Sequence, residues 1–430
     1  MQFYQVGGCV RDGLLGRTWR DRDWVVVGGT AQELCLLGFK SVGRGFPVFL
    51  HPKTGEAYAM ARQESKVGRG YRGFEVFSGP EVTLRDDLYR RDLTINAMAI
   101  DEQGRLIDFF GGQEDLQHRL LRPVSQAFAE DPLRVLRVAR FWAELYPFGF
   151  QLAPEMRAEI VKITQSGELD DLTPERVWME TIKGLATPKP SLFFSLLEQC
   201  GALAVVFPQL HALIGKSQPL HYHPEGDAWV HTLMVLDQAA ILSSDLRVRF
   251  AALVHDLGKG ETPMSELPRH IGHEKRGGEG VIAFGRRLRI SHEFIKLGVI
   301  VAQEHLRCHR VLAMRPAQIV RLLEALGAFE QSDFFELALL ACQSDAQGRG
   351  SAQNIYYPQA DFLRECRYLC AEIKGGDFLA QGLRGPDIGE AVRLARIGRV
   401  RSVLKESPFK LLVPKKKEGV WGSHPPGFDL

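Results

Sequence analysis

Apolar and polar positions alternate in short stretches over roughly the first hundred residues, a pattern typical of a small α+β domain. The predicted strands are Phe3–Val6, Asp21–Val27, 46–51 and 56–62. A short helix follows the Gly7-Gly8 turn, another covers Ala31–Leu37, and Pro52–Gly55 is the turn of a hairpin. The polar and basic stretch 64–85 is expected to form a mobile loop or a loosely paired ribbon.

Helical spacing of apolar residues replaces this pattern beyond about residue 122. The predicted fold class is therefore α+β, with a small head containing a mixed or antiparallel sheet, followed by an all-α neck, body and further helical region. One of these helices starts after Thr173 and carries Arg176 on its exposed face. The predicted domains are 1–122 (head), 123–225 (neck and body), 226–345 (a second chemical domain) and 346–430 (helices with a loose tail).

Composition narrows the class of protein. The 430 residues are 45% hydrophobic and 25% charged, as in ordinary globular proteins. The net charge is only +2, so any nucleic-acid binding must use a local patch. The seven cysteines are scattered and form no CxxC pair, which favours reduced thiols in a cytoplasmic protein. Neither a signal peptide nor a membrane span is expected, because the first strand begins at once and no apolar run approaches ~18 residues.

The first candidate site lies near the amino end. Asp21 and Asp23 are two residues apart on the predicted strand, so both side chains face the same way. Such a pair needs a cation, and Mg²⁺ suits it because Mg²⁺ is commonly bound by one or two carboxylates plus phosphate oxygens. Gly8 allows an anion to approach the backbone, and Arg11 can donate to phosphate. A metal pair beside a phosphate cradle indicates nucleotidyl transfer.

The order of strand, Gly-Gly, Val-Arg-Asp and Asp-x-Asp resembles the signature of class II nucleotidyltransferases of the polymerase-β superfamily. That family includes tRNA CCA-adding enzymes and bacterial poly(A) polymerases. The resemblance implies a polymerase-β-type head in which Asp21 and Asp23 are catalytic and hold Mg²⁺. A third metal-binding carboxylate is not evident from the sequence, and Glu56 and Glu75 are candidates.

A second motif follows at Arg90-Arg-Asp-Leu-Thr-Ile-Asn96. Asp92 and Asn96 are four residues apart, so a helix would place them on one face, and Leu93–Met98 would form its buried part. The run resembles the family motif associated with the ribose and triphosphate of the incoming nucleotide. By that resemblance Arg91 binds the nucleotide.

A third motif starts at Asp131, which is predicted to cap a helix that carries arginines at every third position. It resembles the family's Glu-Asp-x-x-Arg element, in which Asp131 and Arg134 would read the base. An arginine offers only donors and a carboxylate only acceptors, so the pair can match cytosine or adenine and mismatch guanine or uracil. By the same resemblance Arg137 and Arg140 contact the nucleotide, at its phosphates.

A second chemical centre is predicted in the helical part. His231, the pair His255-Asp256, and the distant Asp345 resemble, in this order, the HD phosphohydrolase superfamily. The resemblance implies a divalent metal, and a mixed imidazole and carboxylate set suits Ni²⁺, Mn²⁺ or Co²⁺ better than Mg²⁺ alone. Further candidates for a second metal site are His273 and His305.

The combined order of head, neck, body and HD region resembles CCA-adding enzymes that carry an HD domain. This implies template-independent addition of C, C and A to the 3′ end of tRNA from CTP and ATP. It also implies phosphatase and 2′,3′-cyclic phosphodiesterase activity at the HD site. The expected partners are tRNA, CTP and ATP, without a membrane, in a monomer or homodimer. The alternatives are a poly(A) polymerase-like enzyme, an HD phosphohydrolase with a nucleotide- or RNA-binding head, and a non-enzymatic tRNA-binding chaperone.

Overall fold

The computed structural model describes residues 1–18, 22–42, 48–66, 68, 74–330, 332–350 and 355–406, except for a few side chains at the borders of these ranges. The chain divides into two compact units, Met1–Pro208 and Gln209–Leu430. The division into four domains stays a prediction. Among the helices that the described residues form, none combines the length and apolar character that a membrane crossing requires.

The first unit contains a mixed seven-stranded sheet with the order β3-β4-β5-β2-β1-β8-β9. Strands β2 and β5 pair in parallel, and the other neighbours are antiparallel. Strands β6 and β7 form a separate antiparallel ribbon, the second of the two forms expected for 64–85. The described strands are β1 Gln2–Val6, β2 Asp23–Val27, β3 Lys40–Val42, β4 Val48–Leu50, β5 Ala57–Met60, β6 Gln63–Lys66, β7 Phe74–Phe77, β8 Met98–Ile100, β9 Leu106–Asp108, β10 Leu120–Leu121 and β11 Gln151–Leu152.

Helices cover the sheet and then continue alone to the end of the first unit. Apolar side chains of β1, β2 and β8 pack against Leu84 and Leu88 of α3 in one buried cluster. The first helices are α1 Gly8–Leu14, α2 Ala31–Leu36, α3 Leu84–Tyr89, α4 Gly112–His118, α5 Leu133–Leu145, α6 Pro154–Gln165, α7 Pro174–Leu185, α8 Ser191–Gln199, α9 Ala202–Val206 and α10 Pro208–His211. The predicted α+β class is confirmed.

The second unit is helical, and its buried cluster joins apolar side chains of seven of the helices that the structure describes there. Asp227 starts the first of them by accepting hydrogen bonds from the N–H groups of Trp229 and Val230. The helices are α11 Ala228–Leu242, α12 Leu246–Val254, α13 His273–Arg287, α14 His292–His309, α15 Pro316–Ala325, α16 Ser332–Gln347, α17 Pro358–Ala371, α18 Gly376–Leu379 and α19 Pro386–Glu406.

The buried helix predicted across Leu93–Met98 is wrong. Helix α3 ends at Tyr89, a 3₁₀ turn covers Thr94–Asn96, and β8 begins at Met98. The Oδ1 atom of Asp92 accepts hydrogen bonds from the backbone N–H of Leu93 at 2.8 Å and from Nδ2 of Asn96 at 3.0 Å. Such local side-chain bonds compete with helix formation. Asp92 and Asn96 therefore do lie together, but through a turn and not on a helix face.

Two predicted boundaries also differ. The sequence predicts a helix that begins at His231 and covers Thr232–Leu242, whereas α11 begins three residues earlier, at Ala228, because Asp227 caps it. Strand β2 starts at Asp23, and Asp21 lies outside the described residues, so the side-by-side placement of the two carboxylates stays a prediction. The predicted cap at Asp131 is present, since its Oδ1 accepts the N–H of Leu133 at 3.1 Å.

Candidate active sites

Strand pairing brings the head motifs to one end of the sheet. Asp23 pairs with Val6 on β1 and with Ala57 on β5. Gly7 follows Val6 directly and has φ +79°, a conformation that favours glycine. Asp23 is exposed, and it lies beside this glycine turn. The described part of the predicted metal pair is thus positioned for a ligand from outside.

Two predicted nucleotide-binding arginines lie against the glycine turn. A Cβ added to Gly7 would lie 3.0 Å from Nη1 of Arg91, and one added to Gly8 would lie 3.7 Å from Nη2 of Arg11. The close approach of Arg91 and the positive φ favour glycine at position 7, whereas the contact at Gly8 is an ordinary van der Waals distance. Guanidinium groups and free backbone N–H groups are the donors that bind phosphate oxygens.

A chain of polar contacts links the first motif to the third. Arg11 donates from Nη1 to Oδ1 of Asn96 at 2.9 Å, and Asn96 donates to Asp92. Arg137 of α5 donates from Nε to Oδ2 of Asp92 at 2.7 Å. Although burial disfavours its charge, the Arg137 guanidinium holds the pKa of Asp92 well below its ordinary value. Arg137 and Asp92 therefore form a charged pair at neutral pH.

Two further acids extend this chain to Arg140. Nε of Arg140 lies 2.7 Å from Oε2 of Glu180 on α7, and Nη1 lies 3.2 Å from Oε2 of Glu144. Glu144 also lies 3.6 Å from Nη2 of Arg11, and Glu180 lies 3.9 Å from Nη1 of Arg137, so the polar side chains form a closed ring. Despite burial, Arg140 lowers the pKa of Glu180. The motifs are thus held together by alternating charges.

The ring of Phe141 lies among the guanidinium groups of this network. Its centroid is 3.9 Å from Cζ of Arg140, 5.2 Å from Cζ of Arg11 and 5.6 Å from Cζ of Arg137. Aromatic rings attract cations at such distances. Phe141 therefore fixes three of the predicted nucleotide-binding arginines at once.

The predicted base-reading pair lies at the start of α5. Arg134 is 7% exposed and donates to the carbonyl oxygens of Ala127 and Arg90. Asp131 accepts from Nη2 of Arg176 at 2.8 Å. Arg176 was expected to be an exposed helix arginine, whereas its guanidinium pairs with this carboxylate. The structure thus places Asp131 and Arg134 one helical turn apart, each fixed by neighbours.

Four predicted metal ligands meet in the second unit. Nε2 of His231 lies 3.1 Å from Oδ1 of Asp345, and Nε2 of His255 lies 3.1 Å from Oδ2 of Asp256. The crossed distances, His231 to Asp256 and His255 to Asp345, are 3.9 and 4.0 Å. All four side chains are buried. Helix α12 ends at Val254, so the His-Asp pair follows a helix end as the motif requires.

A second group of ligands shares Asp256. Oδ1 of Asp256 lies 3.5 Å from Nε2 of His273 and 3.7 Å from Nε2 of His305. The three ligand atoms lie within 4.8 Å of one another. The candidates His273 and His305 therefore converge on the other oxygen of the same carboxylate.

Backbone carbonyls orient three of these imidazoles. Nδ1 of His255 lies 2.8 Å from the carbonyl oxygen of Ala252, and the Nδ1 atoms of His273 and His305 make the same kind of contact at 2.7 and 3.0 Å. A donor on Nδ1 leaves Nε2 free to bind a metal. Burial lowers the pKa of His305 to about 3, which keeps its ring neutral, the form that ligates.

Several buried polar atoms of the cluster lack hydrogen-bond partners, which indicates that the cluster can bind a divalent metal. Nε2 of His255, Nε2 of His273 and Oδ1 of Asp256 are buried without a hydrogen-bond partner. Orphaned buried acceptors are costly unless they bind something. These atoms all belong to the two ligand groups, so a cation among them would satisfy them.

Family models match three parts of the chain. A Poly A polymerase head domain matches residues 3–122, a probable RNA and SrmB-binding site of polymerase A matches 149–214, and an HD domain matches 229–327. A curated relative, the multifunctional CCA protein of Thioalkalivibrio sulfidiphilus, is 52% identical over 94% of this chain and 99% of its own length. The chain belongs to the multifunctional CCA protein family.

A second member of the multifunctional CCA protein family is similar to the same extent, and solved CCA-adding enzymes are similar at lower identity. The relative from Pseudomonas fluorescens is 50% identical over 94% of this chain and 98% of its own length. A solved CCA-adding enzyme of Bacillus stearothermophilus in complex with CTP is 26% identical, with a TM-score of 0.59 over 94% of this chain and 88% of that one. A CCA-adding enzyme in apo form II, at 21% identity and a TM-score of 0.64 over 96% of this chain and 90% of that one, shows the fold alone.

Membership in the multifunctional CCA protein family confirms the predicted family and enzyme class, a nucleotidyltransferase with an HD domain. The individual site residues stay predictions, since the comparisons name no residues. The cysteines, all within the described part of the chain, form no disulfide.

Motifs did not reveal four polar residues at the HD cluster. Glu225 lies 2.8 Å from Nδ1 of His231, and His309 lies 2.6 Å from Oδ2 of Asp345. Lys259 and Arg349 contact Asp256 and Asp345 respectively. The spacing of Lys259 and Arg349, three and four residues from an acid, was an available signal. His309 is visible in the sequence as an extra imidazole near the motif, where a polar surface or capping histidine is the expected interpretation, and Glu225 had no comparable signal.

Proposed function

We propose that this chain adds C, C and A to the 3′ end of tRNA, using CTP and ATP in its head, and hydrolyses phosphoesters at its HD cluster. The observation that carries the proposal is the convergence of Asp23, the glycine turn and the arginine network at one end of the head sheet. Its relatives are named multifunctional CCA proteins, and solved enzymes of similar fold are titled as complexes with CTP, ATP and tRNA.

In the head, Asp21 and Asp23 would hold Mg²⁺. When bound, Mg²⁺ lowers the pKa of the attacking tRNA hydroxyl and neutralises the departing pyrophosphate. Gly8 leaves space for the triphosphate beside the backbone, and Arg11 and Arg91 donate to its oxygens. These two groups are supported by their contact with the glycine turn.

Arg137 and Arg140 hold the nucleotide from the α5 side, and Asp131 and Arg134 select its base. The acids beside Arg137 and Arg140 support this role, because they fix both guanidinium groups before a nucleotide binds. Preorganised donors lose less entropy on binding. The base-selecting pair would act as a protein template, with donors on Arg134 and acceptors on Asp131.

At the HD cluster, His231, His255, Asp256 and Asp345 would hold one divalent cation, and Asp256, His273 and His305 a second. Ni²⁺, Mn²⁺ or Co²⁺ suits this mixed set. Such a cation, when bound, makes a nucleophile of bound water at neutral pH. The substrates would be phosphomonoesters and 2′,3′-cyclic phosphates at RNA ends. The four-domain division is part of this proposal, as is a monomeric or homodimeric state.

One variant at each site tests whether nucleotide addition and phosphoester hydrolysis take place at separate sites. Asp23→Asn should abolish nucleotide addition to a tRNA lacking CCA and leave hydrolysis of a 2′,3′-cyclic nucleotide unchanged. Asp256→Asn should do the reverse. Both activities are measured on one preparation of each variant, with circular dichroism as the check of folding. A folded Asp23→Asn protein that has lost both activities would refute two independent centres.

A further inference from the structure

Two positively charged side chains contact the carboxylates of the HD cluster. Nζ of Lys259 lies 2.6 Å from Oδ2 of Asp256, and Nη2 of Arg349 lies 2.9 Å from Oδ1 of Asp345. These are the same two oxygens that lie within 4.0 Å of Nε2 of both His231 and His255. The charged groups of Lys259 and Arg349 therefore lie at the four-ligand group and not on an outer surface of the unit.

Both side chains are held in place and still have donors to spare. Lys259 is 5% exposed, and besides Asp256 its ammonium contacts Oε1 of Gln218 at 2.5 Å. An ammonium has three donors, so one remains. Nε of Arg349 is buried without a hydrogen-bond partner. A buried charged donor that lacks a partner within the protein points to an acceptor from outside it.

The charge of the cluster indicates the sign of that acceptor. Glu225, Asp256 and Asp345 carry three negative charges, against two positive charges on Lys259 and Arg349. One divalent cation bound to neutral imidazoles would change this balance to a net positive charge, and a second cation would raise it further. Uncompensated charge in a buried site is costly, so the loaded cluster needs an anionic ligand.

We propose that Lys259 and Arg349 form an anion subsite that binds the phosphoryl oxygens of the HD substrate beside the metal. The inference rests on the proposed HD function, because it assigns the phosphate group of that substrate to these two side chains. Arg349 offers a planar set of donors that can bind two phosphate oxygens, and Lys259 offers a point charge.

A purely structural role makes a different prediction. If Lys259 and Arg349 served only to neutralise Asp256 and Asp345, replacing them would weaken metal binding and phosphate binding together. If they bind phosphate, metal affinity is kept and phosphate affinity falls. The two measurements must therefore be made on the same full-length variants.

Inorganic phosphate is the probe, and ³¹P line broadening by Mn²⁺ is the readout. Broadening by a paramagnetic ion falls steeply with distance, so only phosphate beside the metal contributes. The Asp23→Asn background removes a carboxylate from the head, which leaves the HD cluster as the site for Mn²⁺. Mn²⁺ affinity is measured separately by electron paramagnetic resonance.

In this background, Lys259→Gln and Arg349→Gln should each raise the phosphate Kd by on the order of tenfold, as loss of a charge-assisted hydrogen bond predicts. Lys259→Arg and Arg349→Lys keep the charge and should recover part of the affinity. Lys216 and Arg276 provide matched controls in the same unit, since each donates to a backbone carbonyl, of Thr262 and Ile271. Lys216→Gln and Arg276→Gln should leave the phosphate Kd unchanged.

Phosphate affinities equal to wild type in all variants would overturn the subsite. A parallel loss of affinity for Mn²⁺ and for phosphate would overturn it too. Lys259 and Arg349 would then serve only to neutralise Asp256 and Asp345. Failure of the proposed HD function is distinguishable: a wild-type protein that binds phosphate beside Mn²⁺ but hydrolyses no phosphoester keeps the subsite and loses the activity.

Discussion

Arg137 and Asp92 form a close ion pair in which both Nε and Nη2 of Arg137 lie 2.7 Å from Oδ2 of Asp92. The two residues are 45 positions apart in the chain. The pair fastens helix α5 to the turn that precedes β8, and through Asn96 it also reaches Arg11. Three of the predicted nucleotide-binding motifs thus depend on one carboxylate.

Asp92→Asn should therefore lower the free energy of unfolding of the first unit by about 2–4 kcal/mol. This is near the usual cost of breaking a buried ion pair, reduced because the Arg137 side chain is 34% exposed. Urea denaturation followed by tryptophan fluorescence measures it. Glu159→Gln, which removes a surface pair with Lys162 in the same unit, is the control and should cost under about 1 kcal/mol. Equal losses of unfolding free energy in both variants would show that the Asp92 pair stabilises the protein no more than a surface ion pair does.

The same pair predicts a dependence on pH. The pKa of Asp92 is lowered on folding from its ordinary value of 3.8, so its contribution to stability is fully present above that value. The contribution is lost as the pH falls through the lowered folded pKa, because the protonated carboxyl no longer attracts Arg137. The difference in unfolding free energy between wild type and Asp92→Asn should shrink below pH 3.8 and stay constant from there to neutral pH. A difference that grows on acidification contradicts this.

Phe141→Leu should raise the Kd for CTP and ATP by about tenfold, since the ring holds three guanidinium groups that are proposed to bind the nucleotide. Replacement of Phe141 by phenylalanines with increasing fluorination should give a graded rise, because fluorine weakens the ring's attraction for cations and barely changes its shape. Equilibrium dialysis measures the affinity. Phe128→Leu, a fully buried core change, should lower stability and leave the Kd unchanged. A flat fluorination series would indicate packing alone.

Asp131→Ala should relax base choice more than it lowers turnover. The carboxylate supplies the acceptors of the proposed template, and Arg176 fixes its orientation. Misincorporation of UTP and GTP into a tRNA acceptor is measured beside incorporation of CTP and ATP. Asp170→Ala, an exposed carboxylate in the same unit, serves as the control. An unchanged preference for CTP and ATP would end the template hypothesis.

Metal stoichiometry tests the shared role of Asp256. By calorimetry on chelator-treated protein, His305→Gln should lose one equivalent of Mn²⁺ relative to wild type. Asp256→Asn should lose two, since one oxygen of that carboxylate lies near His231 and His255 and the other near His273 and His305. His221→Gln, which alters an exposed histidine, should bind as the wild type does. Identical losses in His305→Gln and Asp256→Asn would exclude a second cation.

Much of the fold could be predicted from local pattern. Strands β1, β2, β4 and β5, helix α2 and the start of α7 follow from apolar alternation, turn residues and caps. The stretch after α3 failed because seven consecutive buried residues, Leu93–Ala99, carry no period. There the side chain of Asp92 and the pairing of β8 with β1 decide the conformation, and neither is visible in a window of sequence.

The candidate sites divide in the same way. The order of motifs predicts Asp23, Arg11, Arg91 and the HD ligands as site residues, although some of them, such as His231 and Asp345, are far apart in the sequence. Glu144 and Glu180 were missed because an acid on a helix is ordinarily a solvated residue, and only tertiary packing brings these two to Arg140. Arg176 was misjudged for the same reason.

The most direct test of the central claim is the sequence of the product formed on a tRNA that ends before CCA, incubated with the pure protein, CTP, ATP and Mg²⁺. Mass spectrometry of the 3′ end should show three added nucleotides, C, C and A, and no further growth. No extension of the tRNA, or a long tail of A residues, would contradict the account.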